Sequence, residues 1–215
     1  MKNLHKYEFF IFDCDGVILE SNRLKSKAFA DALIKEDPHL VSKFIEYHKR
    51  NGGVSRYEKF RYYFEIIKNQ VYVENDIKRA INNFSNIVKE GLLKCDYVPG
   101  VLEFIKKLQD QNKLLFVVSG SDEDELIHVF KKRGIFHYFI KIYGSPNNKI
   151  ENTNKVISEL KNKKSGLFLG DSRSDFDAAN QFGLDFLFIK EFSEWIGGEK
   201  KVQSKNVIRN FKDLE

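Results

Sequence analysis

The chain has 215 residues, 42% of them apolar and 20 of them phenylalanine, which excludes a disordered polypeptide. Its 36 basic and 31 acidic side chains leave a net charge of +5, dispersed rather than striped, which argues against nucleic acid as a partner. No apolar run approaches the ~18 residues of a membrane span, and Phe9–Phe12 is too short for a secretory signal, so the expected setting is the cytoplasm, away from membranes.

The first element is the run Phe9-Phe10-Ile11-Phe12, an uninterrupted apolar tetrapeptide that fits a buried parallel strand. It ends in Asp13-Cys14-Asp15-Gly16. Residues past a strand's carboxyl end face the ligand crevice in open α/β sheets, and Gly16 lets the backbone turn close to a ligand. Two carboxylates one residue apart repel unless a cation or proton lies between them. This segment reads either as a metal site with an aspartate nucleophile or as an acidic turn. Strand alternation points Cys14 into the core. Cys14 and Cys95 have no metal or redox spacing and are read as buried thiols.

From residue 22 to about 95 the pattern is helical, with segments after Asn22 and at 39–50, 55–69 and 74–93. The break at Asn51-Gly52-Gly53-Val54 is a loop, and Ser55 is a good N-cap for the next helix. Beyond Pro99-Gly100 helices and strands alternate. A helix over 101–109 precedes a strand at 114–118, and a helix over 122–133 precedes a short strand at 140–143. A helix over 152–161 precedes a strand at 166–169, and a helix over 174–182 precedes a strand at 186–189. This alternation predicts a parallel sheet flanked by helices. The block of roughly 75 residues after the first strand is too long for a crossover and reads as an inserted helical domain. The expected division is 1–20 with 96–215 as core and 21–95 as insertion.

Three further strand ends carry polar residues. Ser119-Gly120-Ser121 follows the second strand. There a hydroxyl and backbone N–H groups can bind a phosphate oxygen, or Ser121 or its neighbours can simply cap the next helix. Lys149 lies in the loop after the third strand, placed either to neutralise a transferring phosphoryl group or to be solvated. The fourth strand runs into Gly170-Asp171-Ser172-Arg173-Ser174-Asp175. Asp171 is expected to face the same crevice as Asp13 and complete an oxygen set suited to Mg2+. Asp175 reads as an outer ligand or as a helix-dipole partner.

In their order and placement, Asp13-x-Asp15-Gly16, Ser119, Lys149 and Gly170-Asp171-x-x-x-Asp175 resemble the haloacid dehalogenase superfamily of phosphotransferases, over essentially the whole chain. Gly-Asp-Ser-Arg-Ser-Asp and the helical insertion look most like its phosphoglycolate phosphatase and β-phosphoglucomutase branch. The resemblance implies a Rossmann-like core with a helical cap, Asp13 as nucleophile and Asp15 as acid/base. It implies Mg2+ held by Asp13, the Asp15 carbonyl, Asp171 and Asp175, with Ser119, Gly120, Gly16 and Lys149 around the transferring group. Arg56, in Gly-Val-Ser-Arg, is implied to reach the rest of the substrate, with Lys59 beside it. The function implied is hydrolysis of a small phosphomonoester such as a sugar phosphate. The alternatives are a sugar phosphomutase and a non-catalytic binding protein. Two departures stand out: Lys25 occupies the position of a mutase histidine, and Ile150 that of a proline. Oligomeric state is not legible.

Overall fold

The computed structural model describes residues 4–71, 73–160 and 165–214. Six strands form one parallel sheet, ordered β3-β2-β1-β4-β5-β6. They are β1 (Phe9–Phe12), β2 (Leu114–Asp122), β3 (Lys141–Ser145), β4 (Gly166–Gly170), β5 (Asp185–Ile189) and β6 (Val207–Ile208). Central β1 pairs Phe12 with Val117 on one side and with Leu169 on the other.

The apolar runs are unbroken because both faces of the sheet are covered. Phe10, Phe12, Leu115, Val117 and Leu169 point into one hydrophobic cluster, while Phe9, Ile11, Phe116, Val118 and Phe168 point into the other. The first cluster continues through Cys14, Val17, Ile18 and Leu19 into Phe29, Phe44, Phe60 and Phe84 of the inserted helices. Those helices are α1 (Asn22–Ala32), α2 (Pro38–Arg50), α3 (Arg56–Tyr62) and α4 (Glu74–Lys94), with a π turn over Tyr63–Ile67 after α3. The segments leaving and re-entering the sheet run side by side. Glu20 N–H donates to Asp96 O and Val98 N–H to Ile18 O.

The remaining helices that position the site are α5 (Val101–Asp110), α6 (Glu123–Lys132), α7 (Lys149–Glu159) and α8 (Arg173–Gln181). Two expectations are corrected, and one short strand is added. Helix α7 starts three residues early, so Lys149 is its first residue and not a loop residue. Asn148 and Glu151 form a reciprocal capping box that fixes this start. The expected end of that helix, Lys161, lies outside the described residues. Asp122, the neighbour of Ser121, caps α6, its Oδ1 accepting from Glu125 N–H at 3.0 Å. Cys95 is only half-buried. The two-residue β6 is too short to leave a sequence period. No described helix is long and apolar enough to cross a membrane.

Candidate active site

Asp13 and Asp171 emerge at the carboxyl ends of β1 and β4, neighbours at the point where the strand order reverses, the usual crevice of such sheets. Asp13, Asp171 and Asp175 are all buried, and each offers a carboxylate oxygen within 4.8 Å of the others'. Lys149 Nζ stands 2.8 Å from Asp13 Oδ2 and 2.5 Å from Asp175 Oδ1. The Cys14 N–H donates to Asp13 Oδ1 at 2.7 Å. Asp175 also closes the first turn of α8, its Oδ2 accepting from Ser172 N–H at 3.0 Å and Ser172 Oγ at 2.6 Å. It therefore serves the helix N-terminus and Lys149 together.

Asp15 faces the same cavity but a different set of partners. Its Oδ2 pairs with Lys25 Nζ at 2.7 Å and accepts from Ser121 Oγ at 2.7 Å, while Oδ1 accepts from Ser21 Oγ at 2.5 Å. The two aspartates consequently differ in electrostatics. Burial, reinforced by Asp175 and Asp15, pushes Asp13 up to about 7 against the pull of Lys149. Burial opposes charge on Asp15 too, but Lys25 and the three hydrogen bonds prevail and bring it down to about 2. Burial and the nearby Asp13 and Asp175 hold Asp171 well above the usual carboxylate range. Three clustered carboxylates against one ammonium leave two uncompensated negative charges when all are ionised. An all-oxygen donor set with that surplus fits a hard divalent cation.

A sequence profile of haloacid dehalogenase-like hydrolases matches residues 10–189. The chain belongs to that family. No curated protein sequence matches it. Among solved structures it is similar to a predicted phosphoglycolate phosphatase from Haemophilus somnus 129pt, at 18% identity and a TM-score of 0.79, covering 99% of this chain and 98% of that one. It is also similar to β-phosphoglucomutase from Clostridium difficile, at 22% identity and a TM-score of 0.76, covering 97% and 93%. A predicted phosphatase from Clostridium acetobutylicum aligns at 19% identity and a TM-score of 0.74, covering 97% and 96%. At these identities the likeness is one of fold.

Within this haloacid dehalogenase-like hydrolase, the wall opposite the carboxylates comes from α1, α2, α3 and the loop between the last two. Asp13, Asp15, Lys25, Arg56, Lys59, Ser119, Gly120 and Asp171 line one cavity of about 70 Å3. Ser119 is buried and its Oγ accepts from Ser121 N–H at 3.3 Å. Gly16 has φ +76°, and a Cβ there would lie 2.3 Å from Asp171 Oδ2, so both its conformation and its space require glycine. Arg56 lines this cavity and is already paired. Its guanidinium grips Glu125 of α6 through both nitrogens, at 3.0 and 2.5 Å, and also donates to Ser85 Oγ. It thereby fastens α3 to the sheet's own helix layer, beside Tyr57 Oη bonded to Asp122 Oδ2 at 2.7 Å.

Sequence reasoning gave no site role to Asn22 and assigned none of the contacts that hold Asp15. Asn22 Nδ2 donates to Asp171 Oδ2 at 2.6 Å, and Ser21, Lys25 and Ser121 hold Asp15. The available signal was their position, since residues 21–25 start the helix that comes directly after the Asp13–Gly16 turn.

Gly120 meets the inserted loop at van der Waals limit. A Cβ on it would lie 2.0 Å from Gly53 O and 2.6 Å from Gly53 C. Backbone cannot yield as a side chain can, so Gly120→Ala is expected to push the 51–54 loop away. We expect it to raise KM about tenfold or more while leaving the unfolding temperature within a few degrees of wild type. Steady-state kinetics with thermal unfolding checks this, and an unchanged KM would refute the contact's importance.

Proposed function

We propose that this hydrolase is a Mg2+-dependent phosphatase, cleaving a small phosphomonoester through an aspartyl phosphate on Asp13, with residues 21–95 closing as a cap over 1–20 and 96–215. The observation that carries this reading is the contrast between two aspartates in one cavity. Asp13 is clustered with Asp171, Asp175 and Lys149, while Asp15 is held apart by Lys25, Ser21 and Ser121. When bound, Mg2+ supplies charge neutralisation between an anionic nucleophile and an anionic phosphoryl group; Asp13, Asp171, Asp175 and the Asp15 carbonyl would hold it.

One Asp13 oxygen attacks phosphorus as the P–O bond to the leaving group breaks, so one hard displacement becomes two easier ones. Ser119 Oγ, the backbone around Gly120 and Lys149 Nζ orient the transferring group and offset its charge. The departing alkoxide takes its proton from the Asp15 side of the cavity. There Lys25 Nζ, 2.7 Å from Asp15 Oδ2, carries a transferable proton. In the second half, ionised Asp15 takes a proton from the water as its oxygen bonds to phosphorus and the P–O bond to Asp13 breaks, and passes that proton back to Lys25. Lys25 in place of a mutase histidine favours release of phosphate over its return to a sugar. The contacts of Arg56 with Glu125 and of Asn22 with Asp171 support the reading of a cap that closes and excludes bulk water before transfer.

The test is phosphate release from p-nitrophenyl phosphate with Mg2+ and with chelator, then a panel of sugar phosphates scored for phosphate against isomer. Metal-dependent phosphate release is expected; isomer without phosphate would make the protein a mutase, and neither product would leave a binding protein. Asp15→Asn should keep fold and metal affinity, because its carboxylate is turned away from the cluster, yet lower kcat by about 10²–10⁴. Full activity in that variant would remove Asp15 from the mechanism.

A further inference from the structure

Of the buried cations along the cavity and beneath it, three are balanced by carboxylates. Lys25 pairs with Asp15, Arg56 with Glu125, and Lys149 with Asp13 and Asp175. Lys59 of α3 is different. It is only 3% exposed, and among the described residues no carboxylate lies within 4.0 Å of its ammonium. Its one hydrogen-bond partner is His48 Nδ1, 2.9 Å away on α2, and its Nζ stands 5.3 Å from the centre of the Phe29 ring. An ammonium has three donors, so two remain for something other than the protein.

His48 is itself held. Its Nε2 lies 2.8 Å from Ser26 Oγ, which donates to both Glu194 oxygens at 2.8 and 3.0 Å. Only one tautomer satisfies this chain: Nε2–H donates to Ser26, and the Nδ1 lone pair accepts from Lys59. Burial, then Lys59, keeps the imidazole well below its usual pKa and therefore neutral. The relay orients Lys59 without neutralising it. Burying an ammonium with no counter-ion is costly, and a ring face repays little of that. Burial, with Lys25 next, accordingly draws Lys59 down to about 7. Lys59 and His48 line the same cavity as Asp13, Asp15 and Ser119.

We propose that Lys59, aimed by the His48–Ser26–Glu194 relay, binds a second anionic group of the substrate, at the end remote from the phosphoryl group transferred to Asp13. The ligand class is a compact phosphomonoester bearing a further carboxylate or phosphate. The cavity of about 70 Å3 is some five times what one water requires, which suits a short linker between the two anions. Arg56 lines the same cavity, but its charge is already balanced by Glu125. The inference rests on the phosphatase reading only for where the other end of the ligand lies.

Binding can be measured without turnover. In an Asp13→Asn background with Mg2+, isothermal titration compares 2-phosphoglycolate, ethane-1,2-diol bisphosphate and ethyl phosphate. At least one of the doubly anionic ligands should bind about tenfold or more tightly than ethyl phosphate, and the preferred one tells carboxylate from phosphate. Adding Lys59→Met, or Lys59→Gln, which keeps a donor for His48, should bring that preference ratio close to one. Absence of the preference, its survival in both Lys59 variants, or equal weakening of all ligands would each overturn the proposal. Preference without any phosphate release by the wild type would instead refute the reaction class and leave the anion site standing.

Discussion

Asp13→Asn is expected to abolish phosphate release, by on the order of 10⁴-fold or more, while making the metal-free protein more stable. The first effect comes from removing the oxygen proposed to attack phosphorus without altering side-chain shape, and no covalent phosphoryl adduct should appear by mass spectrometry. The second comes from the crowding of carboxylates. Burial, with Asp175 and Asp15, raises Asp13 to about 7 in the folded chain from 3.8. A carboxyl group raised on folding opposes folding above its unfolded pKa. The penalty is absent below about pH 4, grows between 4 and 7 and is full above 7, reaching on the order of a few kcal/mol. In chelator, the variant's advantage in unfolding temperature should therefore be larger at pH 8 than at pH 5. Saturating Mg2+ should narrow it by stabilising the wild type. A variant less stable than wild type at pH 8 in chelator would show that the Lys149 pair outweighs the crowding.

Lys149→Met carries the opposite sign. Among the described residues Lys149 is the one ammonium in contact with both Asp13 and Asp175, and burial works against its charge while those two carboxylates hold its pKa above the ordinary lysine range. Removing it strands two buried acids, a change that costs about 3–5 kcal/mol in comparable pairs. The loss should shrink as pH falls from 8 to 5.5, because Asp13, which burial pushes up to about 7, then takes up a proton. Phosphate turnover should drop by about 10² or more, since the transferring group loses its nearest protein cation. Denaturant titration at both pH values checks the first claim and steady-state kinetics the second. Turnover within a few-fold of wild type would remove Lys149 from the reaction centre.

The strands were legible because the sheet is covered on both faces. Phe9–Phe12 and Leu167–Leu169 are apolar without alternation, and each is followed by aspartates at the point where the backbone leaves the core. The inserted helices were legible through their periods and through Ser55, which caps α3. Lys149 was harder to place, since the Asn148–Glu151 box that starts its helix is one short polar pattern among many. The partner of Arg56 was not legible at all. Glu125 lies 69 positions away, and 36 basic and 31 acidic residues permit far too many pairings for charge alone to choose.

What the sequence determined by itself is the set of local, covalently ordered facts: which runs are buried, where each ends, and which acids stand at those ends. The tertiary structure decided which of these groups meet. It spent Arg56 on Glu125, put Lys25 against Asp15, and left Lys59 facing His48 with no carboxylate of the described residues within 4.0 Å. The physical reason is range: periodicity and capping act over a few residues, whereas charge pairing acts over a few ångströms between segments that only folding brings together.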